Sequence, residues 1–372
     1  MNKNVRFGDV VKRVNQFVDK DNTDILYYVG KGGSIEPDAF DVEPQALIEG
    51  ATIGYKFHFG FEPGHILFMS RCFDQHKAAT ATFRGICSDS TYVVETRDTN
   101  VLTQEYLQIV MQSPKFWQWL DEHKTGGVNF LINYKTLEDY EFDLPPLSEQ
   151  NEIASRIWSA YRLKKKYRQL IAATDELVKS QFIEMLKGKA INGTISDLVA
   201  SKIANVKKTY SPDDTIQYID ISSINAEDHS VSQVTEYSVK DAPSRAQQCV
   251  KYGDLLVSTV RPINRNIAIV DKDLGNLVAS TGFCVLRPND GMLNYLLSIV
   301  LSDDYTDAMC DKANGGVYPA VNNGDVLNYQ IHIPDDDLAE RVSLIRQQAD
   351  KSKFELKKSI EKIDNVIKAL MQ

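Results

Sequence analysis

The chain has 372 residues, of which 43% are hydrophobic and 25% charged, a composition typical of a globular protein with two or three domains. The formal net charge of −9 argues weakly against a general nucleic-acid binder, although the local placement of lysine and arginine matters more than the total. No apolar run reaches the roughly 18 residues of a membrane span, and the amino terminus lacks the apolar segment of a secretory signal.

Cysteine and histidine spacing gives little indication of a metal site. The five cysteines are scattered and form no CxxC pair, and the six histidines show no HxxxH or HExxH spacing. We therefore expect reduced thiols in a cytoplasmic protein, no membrane association and no bound metal.

The main pattern along the chain is a duplication at a separation of 188 to 190 residues. The string TGGVNFLINYKTLEDYEFDLPP at 125–146 aligns with NGGVYPAVNNGDVLNYQIHIPD at 314–335, and GHILFMS at 64–70 aligns with GDLLVST at 253–259. A solenoid repeat has a much shorter period of roughly 20–50 residues. The sequence therefore predicts a duplicated domain.

Each copy follows the same predicted order of elements. A short amphipathic helix comes first, with Asp9 or Asp197 as its predicted N-cap. Apolar, β-branched and aromatic runs then predict strands at 25–29, 65–69 and 90–94 in the first copy and at 215–221, 254–259 and 282–286 in the second. Helical stretches follow near 103–112, 114–120 and 292–310, and a Gly-Gly pair then precedes a last strand that ends in proline.

Two segments predict long helices, at 148–187 and from 337 to 372. Neither contains glycine or proline, apolar residues recur at helical spacing, and Gly188 supplies a stop after the first. Each helix would be about 55–60 Å long. Because an apolar stripe of this length needs a partner, we expect the two helices to pack as an antiparallel coiled coil. The alternative is that each helix packs on its own domain.

The order and duplication of these features resemble the specificity (S) subunits of type I restriction–modification systems. The resemblance is carried by GHILFMS and GDLLVST, by the two Gly-Gly segments, and above all by LPPLSEQNEIASRI at 144–157. The last string looks like the family's Pro-Pro-Leu-x-Glu-Gln opening of the first spacer helix. The second copy departs from it with PDDDLA at 334–339, which predicts an aspartate cap for the second helix.

The resemblance implies an α+β fold of two duplicated, mixed α/β target-recognition domains separated by two long helices that pack as an antiparallel coiled coil. The predicted limits are 1–146 for the first domain, 147–188 for the first spacer helix, 189–335 for the second domain and 336–372 for the second spacer helix.

The resemblance also implies a non-catalytic subunit that binds a bipartite double-stranded DNA sequence, with one domain for each half-site. Two methyltransferase subunits would carry out adenine methylation, and nuclease–translocase subunits would join for restriction. S-adenosylmethionine, ATP and magnesium would act on those partners, and this chain would bind no cofactor. A protein-interaction scaffold without DNA binding remains the alternative, and the net charge of −9 favours it.

The residues themselves give little support for catalysis. The chain has no Asn/Asp-Pro-Pro-aromatic tetrapeptide, no Walker A lysine motif and no recognisable nucleophile motif. We therefore predict no catalytic residue in this chain.

The candidate DNA-contacting residues are polar and basic side chains, because arginine can fork onto guanine and Asn or Gln onto adenine. After the repeated strand, they are Ser70, Arg71, Gln75, His76, Lys77 and Arg84 in the first copy, and Thr259, Arg261, Asn264, Arg265 and Asn266 in the second. Further candidates at a strand end or beyond a Gly-Gly pair are Lys31, Asn129, Ser222, Asn225 and Tyr318. For any one of them, an ordinary solvated loop residue is an equally good interpretation.

Overall fold

The computed structural model describes residues 3–30, 35–71, 73–126, 130–200, 202–272 and 274–371. Contacts divide the chain into one unit of Met1–Gln169 with Leu356–Gln372 and a second unit of Leu170–Glu355. Each unit therefore contains parts of both long helices, and the predicted domain limits stay a prediction.

The first unit is a mixed α/β fold that begins and ends with paired strands. Its strands are β1 (Lys3–Arg6), β2 (Val11–Arg13), β3 (Gln16–Phe17), β4 (Tyr27–Val29), β5 (Asp41–Val42), β6 (Ala46–Leu47), β7 (Phe57–Phe61), β8 (Ile66–Met69), β9 (Ala78–Ala81), β10 (Gly85–Ser88), β11 (Thr91–Thr96) and β12 (Glu141–Leu144). Its helices are α1 (Phe7–Val10), α2 (Gln104–Gln112), α3 (Pro114–Glu122), α4 (Tyr134–Glu138) and the first part of α5 (Leu147–Leu186), with a 3-10 turn at Phe73–Gln75.

The second unit has the same kind of fold. Its strands are β13 (Gly193–Thr194), β14 (Thr215–Ile219), β15 (Ile224–Asn225), β16 (Ser230–Val231), β17 (Thr235–Ser238), β18 (Ala246–Cys249), β19 (Leu255–Ser258), β20 (Ile267–Ile269), β21 (Leu277–Ser280), β22 (Phe283–Leu286) and β23 (Gln330–Ile331). Its helices are α6 (Val206–Thr209), α7 (Leu293–Val300), α8 (Asp303–Lys312), α9 (Asn323–Leu327) and most of α10 (Asp336–Leu370), with 3-10 turns at Ile195–Leu198, Ile221–Ser223 and Pro262–Asn264.

The two units repeat one sheet topology. In the first, β10 pairs parallel with β4 and antiparallel with β7, and β6 pairs with the other edge of β4. In the second, β21 pairs parallel with β14 and antiparallel with β18, and β17 pairs with the other edge of β14. The order β11-β8-β9-β5 likewise corresponds to β22-β19-β20-β16. The predicted duplication is therefore confirmed strand by strand.

The repeated strand lies at the centre of each core. All four residues of β8 and all four of β19 are buried, because each strand is covered on both faces. One face of β8 packs Phe68 among Phe116 and Trp117 of α3, and the opposite face contributes Leu67 and Met69 to a second apolar cluster. The loop that follows each of these strands therefore begins at a position fixed by the core.

The predicted N-caps of the two opening helices are wrong. Arg6 precedes α1, and Asp9 lies inside the first turn. In the second unit, Thr194 takes the cap position, and its N–H donates to Oδ2 of Asp197 at 2.8 Å. Asp197 therefore stabilises the turn from its third position, as the acidic partner in a capping box.

The first long helix begins directly after Pro145 and Pro146, and a buried glutamine fixes this point. The Gln150 amide donates to the carbonyls of Pro145 and Val101, each at 2.9 Å, and its oxygen accepts from the Thr103 N–H at 3.0 Å. The helix ends at Leu186, and Gly188 follows with φ of +75°. The Gln of the PPLSEQ string therefore connects the helix to the domain before it.

The second long helix begins with a different contact. The Oδ1 of Asp335 accepts from the Leu338 N–H at 2.9 Å, so the predicted aspartate cap is confirmed. Ala339 stands where the first helix has Gln150 and is 4% exposed. Among the described residues, no helix has the length and apolarity to cross a membrane.

The two long helices pack on each other in antiparallel directions. In the first unit, Ile157 and Tyr161 of α5 share a cluster with Ile367 of α10, and Lys164 forms an ion pair with Asp364. The coiled coil predicted from the sequence is confirmed.

The same direction is found in the second unit. There, Phe182 of α5 shares a cluster with Val342 of α10, and the Nζ of Lys353 lies 2.7 Å from Oδ1 of Asp175. In each unit the residue numbers of α5 rise as those of α10 fall.

Each helix also packs on a domain, so the alternative interpretation holds in part. In the first unit, the Trp158 indole donates to the Glu105 carbonyl at 3.1 Å, and the Tyr161 hydroxyl donates to Oδ1 of Asp41 at 2.9 Å. In the second, the Phe182 ring lies 5.5 Å from the Tyr295 ring.

One buried cation between helix α10 and the second domain lacks full compensation. Arg346 is 8% exposed, its Nη1 donates to the Ser298 hydroxyl at 3.3 Å, and its Nε has no hydrogen-bond partner among the described residues. Burial lowers the pKa of Arg346, although Asp350 and Asp175 oppose this effect. The desolvation of the guanidinium therefore opposes folding.

Replacing Arg346 with methionine is expected to stabilise the protein. Met fills a similar apolar volume, and the Ser298 hydroxyl keeps its own bond to the Asn294 carbonyl, so the unfolding free energy should rise by about 1–2 kcal/mol in urea denaturation. The matched control is Arg341→Met on the same helix, whose side chain is 59% exposed and should change stability by less than about 0.5 kcal/mol. A loss of stability in Arg346→Met would contradict this account.

Candidate DNA interface

In each unit, two segments that are distant in sequence form one surface through main-chain pairing. Val260, just after β19, is bridged to Ala320, just before α9, and the Arg261 N–H donates to the Pro319 carbonyl at 2.7 Å. Arg71, just after β8, is bridged in the same way to Leu131. The loop after the repeated strand and the Gly-Gly turn are therefore parts of a single candidate interface.

Arg261 is held at the centre of this surface in the second unit. Its Nη2 donates to the Val317 carbonyl at 3.2 Å, and its guanidinium carbon lies 4.6 Å from the centre of the Tyr318 ring. Tyr318 itself is 67% exposed. Two predicted residues, Arg261 and Tyr318, are thereby brought into direct cation–π contact.

The residues that follow Arg261 form a short projecting turn. Ile263 at its tip is 65% exposed, and Asn264 beside it is also exposed. Arg261 and Arg265, on either side of this 3-10 turn, have φ of +50° and +47°. Non-glycine residues seldom adopt this left-handed conformation, so the turn is maintained by its surroundings.

Arg265 and Asn266 hold the far end of the turn. The Nη2 of Arg265 lies 2.6 Å from Oδ1 of Asp303, and this hydrogen bond keeps the pKa of that carboxyl below its ordinary value. The carbonyl of Asn266 accepts from the Ser258 N–H at 3.0 Å. Arg265 is therefore an anchor whose charge is already balanced.

The Gly-Gly turn exposes its apolar residues. Asn314 and Ala320 exchange main-chain hydrogen bonds of 3.0 and 2.9 Å, and Gly315 between them has φ of +110°. Beyond it, Val317 is 77% exposed. The turn thus projects Val317 and Tyr318 beside Arg261.

The first unit contains a related arrangement of different residues. Thr125 is bridged to Leu131, Gly126 has φ of +105°, and the Nζ of Lys124 lies 4.6 Å from the centre of the Phe130 ring. Phe130 is 39% exposed. A cation again lies over an aromatic ring at the turn, but it is a lysine from the turn itself.

Of the residues predicted to contact DNA in the first unit, Arg71 and Gln75 have side chains that a ligand could reach. Both side chains are exposed, and Arg71 makes no side-chain hydrogen bond or ion pair within the described part of the chain. Lys31 and Asn129, which the sequence also indicated, lie outside the described residues.

His76 and Arg84 already have partners. The His76 Nδ1 lies 2.9 Å from Oδ1 of Asp38, and its ring stacks on Trp117 at 4.8 Å. The Arg84 Nε donates to Glu62 at 3.1 Å, and its Nη1 donates to Asp24 at 3.0 Å. Two carboxylates balance the charge of Arg84, which makes it a weak candidate for DNA contact.

For three predicted residues, the interpretation as DNA contacts is wrong because they are buried. Ser70 is 0% exposed and donates to the Ser90 carbonyl at 2.7 Å, and Thr259 is 6% exposed and donates to the Gly282 carbonyl at 3.0 Å. Lys77 is 3% exposed. These side chains hold the ends of the loops and present nothing to a ligand.

Ser222 and Asn225 lie among acidic groups. The Ser222 hydroxyl donates to Oδ1 of Asp220 at 2.7 Å, and the Asn225 amide donates to Oδ2 of Asp228 at 3.2 Å. Burial opposes ionisation of Asp220, but hydrogen bonds from Ser222 and its neighbour hold the pKa of the carboxyl below its ordinary value. This negative charge disfavours an approach by phosphate.

The sequence interpretation missed Lys124, Phe130, Ile263 and Val317. A usable signal was present, because an exposed aromatic residue follows the Gly-Gly pair within four positions in each copy. Within the described residues, no group of three or more His, Cys, Asp or Glu side chains is placed to hold a metal ion.

Comparison with known proteins finds a family similarity in the first part of the chain. Residues 5–172 match the type I restriction modification DNA specificity domain. This match covers the first domain and the start of the first long helix. The specificity subunit of the type I restriction enzyme HindI from Haemophilus influenzae is 31% identical over 140 residues, which are 36% of this chain and 30% of that subunit. The match therefore covers less than a third of the relative.

Solved structures show the same fold over the whole chain. The type I S subunit from M. genitalium has a TM-score of 0.53 at 13% identity, with coverage of 100% of this chain and 96% of that one. A chain from a structural study of assembly and conformational transition in the type I R-M system has a TM-score of 0.54 at 17% identity, with the same coverage. The fold class predicted from the sequence is confirmed.

Substitution of the first glycine of the second Gly-Gly turn should destabilise it. A Cβ at Gly315 would lie 3.1 Å from the Tyr318 carbonyl oxygen at a φ of +110°, so Gly315→Ala should lose more than about 1 kcal/mol of unfolding free energy in urea denaturation. A Cβ at Gly316 would meet no atom within 4 Å, so Gly316→Ala is the matched control and should change stability by less than about 0.5 kcal/mol. Equal effects of the two substitutions would refute the strained-turn assignment.

Proposed function

We propose that this protein is the non-catalytic DNA sequence-specificity subunit of a type I restriction–modification complex. The observation that carries the proposal is one scaffold present twice with different exposed residues at the same place. Arg261 and Tyr318 occupy this surface in the second unit, and Lys124 and Phe130 occupy it in the first. One double-stranded DNA half-site for each unit is the function that this arrangement fits.

The exposed groups have the chemistry of direct readout. Arg71 and Gln75 in the first unit, and Arg261 and Asn264 in the second, supply the side-chain types that fork onto guanine or adenine in the major groove. The Nζ of Lys124 lies 2.6 Å from Oδ1 of Asp121, so a phosphate contact by this lysine requires exchange of that ion pair. Arg71 and Arg261 place positive charge at the candidate interface, although the chain as a whole has a net charge of −9.

The partners in this proposal are two methyltransferase subunits, with nuclease–translocase subunits added for restriction. Support comes from the exposed apolar residues of α5: Leu170, Leu177 and Ile183 are 51%, 57% and 64% exposed. Leu170 and Leu177 are one heptad apart and lie on the same side of the helix, as a docking surface requires. S-adenosylmethionine, ATP and magnesium are proposed to bind those subunits, and adenine methylation to occur there.

The alternative is a protein-interaction scaffold, and a binding assay separates the two. We expect the chain, in complex with its methyltransferase partner, to retard duplex DNA in a mobility-shift assay with an affinity that falls steeply as salt rises. No retardation of duplex DNA at any salt concentration would favour the scaffold.

A pair of variants sharpens that assay. Arg71→Ala removes an exposed arginine that has no side-chain partner among the described residues, and it should weaken binding about five- to 150-fold if it contacts a base. Arg84→Ala is the control, because its charge is already balanced by Glu62 and Asp24.

Exchange of the first domain tests the assignment of one domain to one half-site. Residues 1–146 are replaced by the corresponding segment of another family member, and the methylated sequence is read by methylome sequencing of cells that carry the partner subunits. Only one half-site should change, because the second unit keeps its own interface. A change in both half-sites, or in neither, would contradict the assignment of one domain to one half-site.

A further inference from the structure

We infer that Arg261 reads a guanine in the half-site bound by the second unit and that Tyr318 is its positioning residue. The inference rests on the proposed function and adds the base that is recognised. Its starting point is the guanidinium of Arg261, which is fixed by the Tyr318 ring at 4.6 Å and by the Val317 carbonyl at 3.2 Å.

Arg261 is restrained but still has donors to offer. Its guanidinium has five N–H groups, and Nη2 uses one of them on the Val317 carbonyl. Among the described residues the side chain makes no other hydrogen bond and no ion pair. The Arg265 side chain of the same loop differs, because Asp303 already binds it at 2.6 Å.

The backbone around Arg261 is held in place from both sides. Its N–H donates to the Pro319 carbonyl at 2.7 Å, its φ is +50°, and the ring of Pro262, the next residue, fixes the φ of that position. At the far end, Arg265 has φ of +47° and is tied to Asp303. The guanidinium therefore needs little reorganisation on binding, which favours recognition that depends on geometry.

The surroundings of Arg261 favour a base edge over a phosphate. Ile263, Val317 and Tyr318 are 65%, 77% and 67% exposed and surround it with apolar surface. Such side chains contact base edges and thymine methyl groups, whereas contacts to phosphate are made by polar and charged groups. A restrained cation surrounded by apolar side chains is therefore suited to contact base edges in the major groove.

The donor pattern of Arg261 selects guanine among the bases. A two-donor fork matches the N7 and O6 acceptors of guanine in the major groove, whereas adenine presents an acceptor beside a donor. Cytosine presents a donor, and thymine presents a single acceptor with a methyl group. In the first unit, Lys124 lies over Phe130 and has no planar fork, so the inference is confined to the second half-site.

Methylome sequencing of cells that carry this chain and its methyltransferase partners tests the inference. The wild-type protein should show a G·C pair in the second half-site. Arg261→Ala and Arg261→Lys should each relax one position of that half-site, with a loss of about five- to 150-fold in discrimination, and leave the first half-site unchanged. Purified complexes should bind duplexes varied at that position with the same pattern.

The Tyr318 variants test the positioning role. Tyr318→Phe keeps the ring under the guanidinium and should preserve the motif, whereas Tyr318→Ala should partly relax the same position as the Arg261 variants. Lys240→Ala is the control in the same unit, because Lys240 lies outside the two loops of the interface and its Nζ pairs with Oδ1 of Asp213 at 2.8 Å, and it should leave the motif intact.

Several results would overturn the inference. A second half-site without a G·C pair in the wild-type motif would do so. If Arg261→Lys kept the motif, Arg261 would be assigned to a phosphate contact. The same assignment would follow if Arg261→Ala lowered the affinity equally for all DNA sequences and reduced the dependence of that affinity on salt. Sequence-independent methylation by the wild-type complex would remove the proposed function as well, so the two failures are distinguishable.

Discussion

The candidate interface depends on main-chain pairing between two loops. Arg71 is bridged to Leu131 and Val260 to Ala320, and these bridges join the chain that leaves the buried central strand to the Gly-Gly turn. Because backbone groups make the bridges, the side chains on the outer surface take little part in holding them. The same surface can therefore carry Arg261 and Tyr318 in one unit and other residues in its counterpart.

The helices are constrained in a different way. The side-chain amide of Gln150 makes three hydrogen bonds to main-chain groups and fixes the start of α5, whereas an aspartate cap fixes the start of α10. The buried Gln150 and the small Ala339 occupy equivalent positions, so the two helix entries are not interchangeable. A duplicated chain has thus acquired two distinct ends, which allows a partner to tell one from the other.

Much of the fold could be predicted because its signals extend over many residues. The duplication repeats over whole strands, and the long helices show uninterrupted periodicity, so both were recovered. Local assignments failed where burial decides the outcome. Ser70 and Thr259 look like polar loop residues in sequence, but each lies at the end of a buried strand and bonds a carbonyl. The N-cap predictions for Asp9 and Asp197 were wrong because each cap lies three positions earlier, at Arg6 and Thr194.

The candidate site was recoverable as residue types but not as an arrangement. Arginine and tyrosine were indicated in separate segments, 57 positions apart at Arg261 and Tyr318, and nothing in their local sequence shows that they touch. Arg84 illustrates the reverse case, since its carboxylate partners Asp24 and Glu62 are also distant in sequence. Ion pairing and stacking across loops are tertiary properties that one sequence does not reveal.

The turn at Pro262–Asn264 has a consequence for protein engineering. Arg261 and Arg265 hold the two ends of this turn, so its tip is attached to the domain at both sides. New side chains grafted at Ile263 and Asn264 would inherit a defined orientation without redesign of the core. Variation can therefore be confined to these two codons.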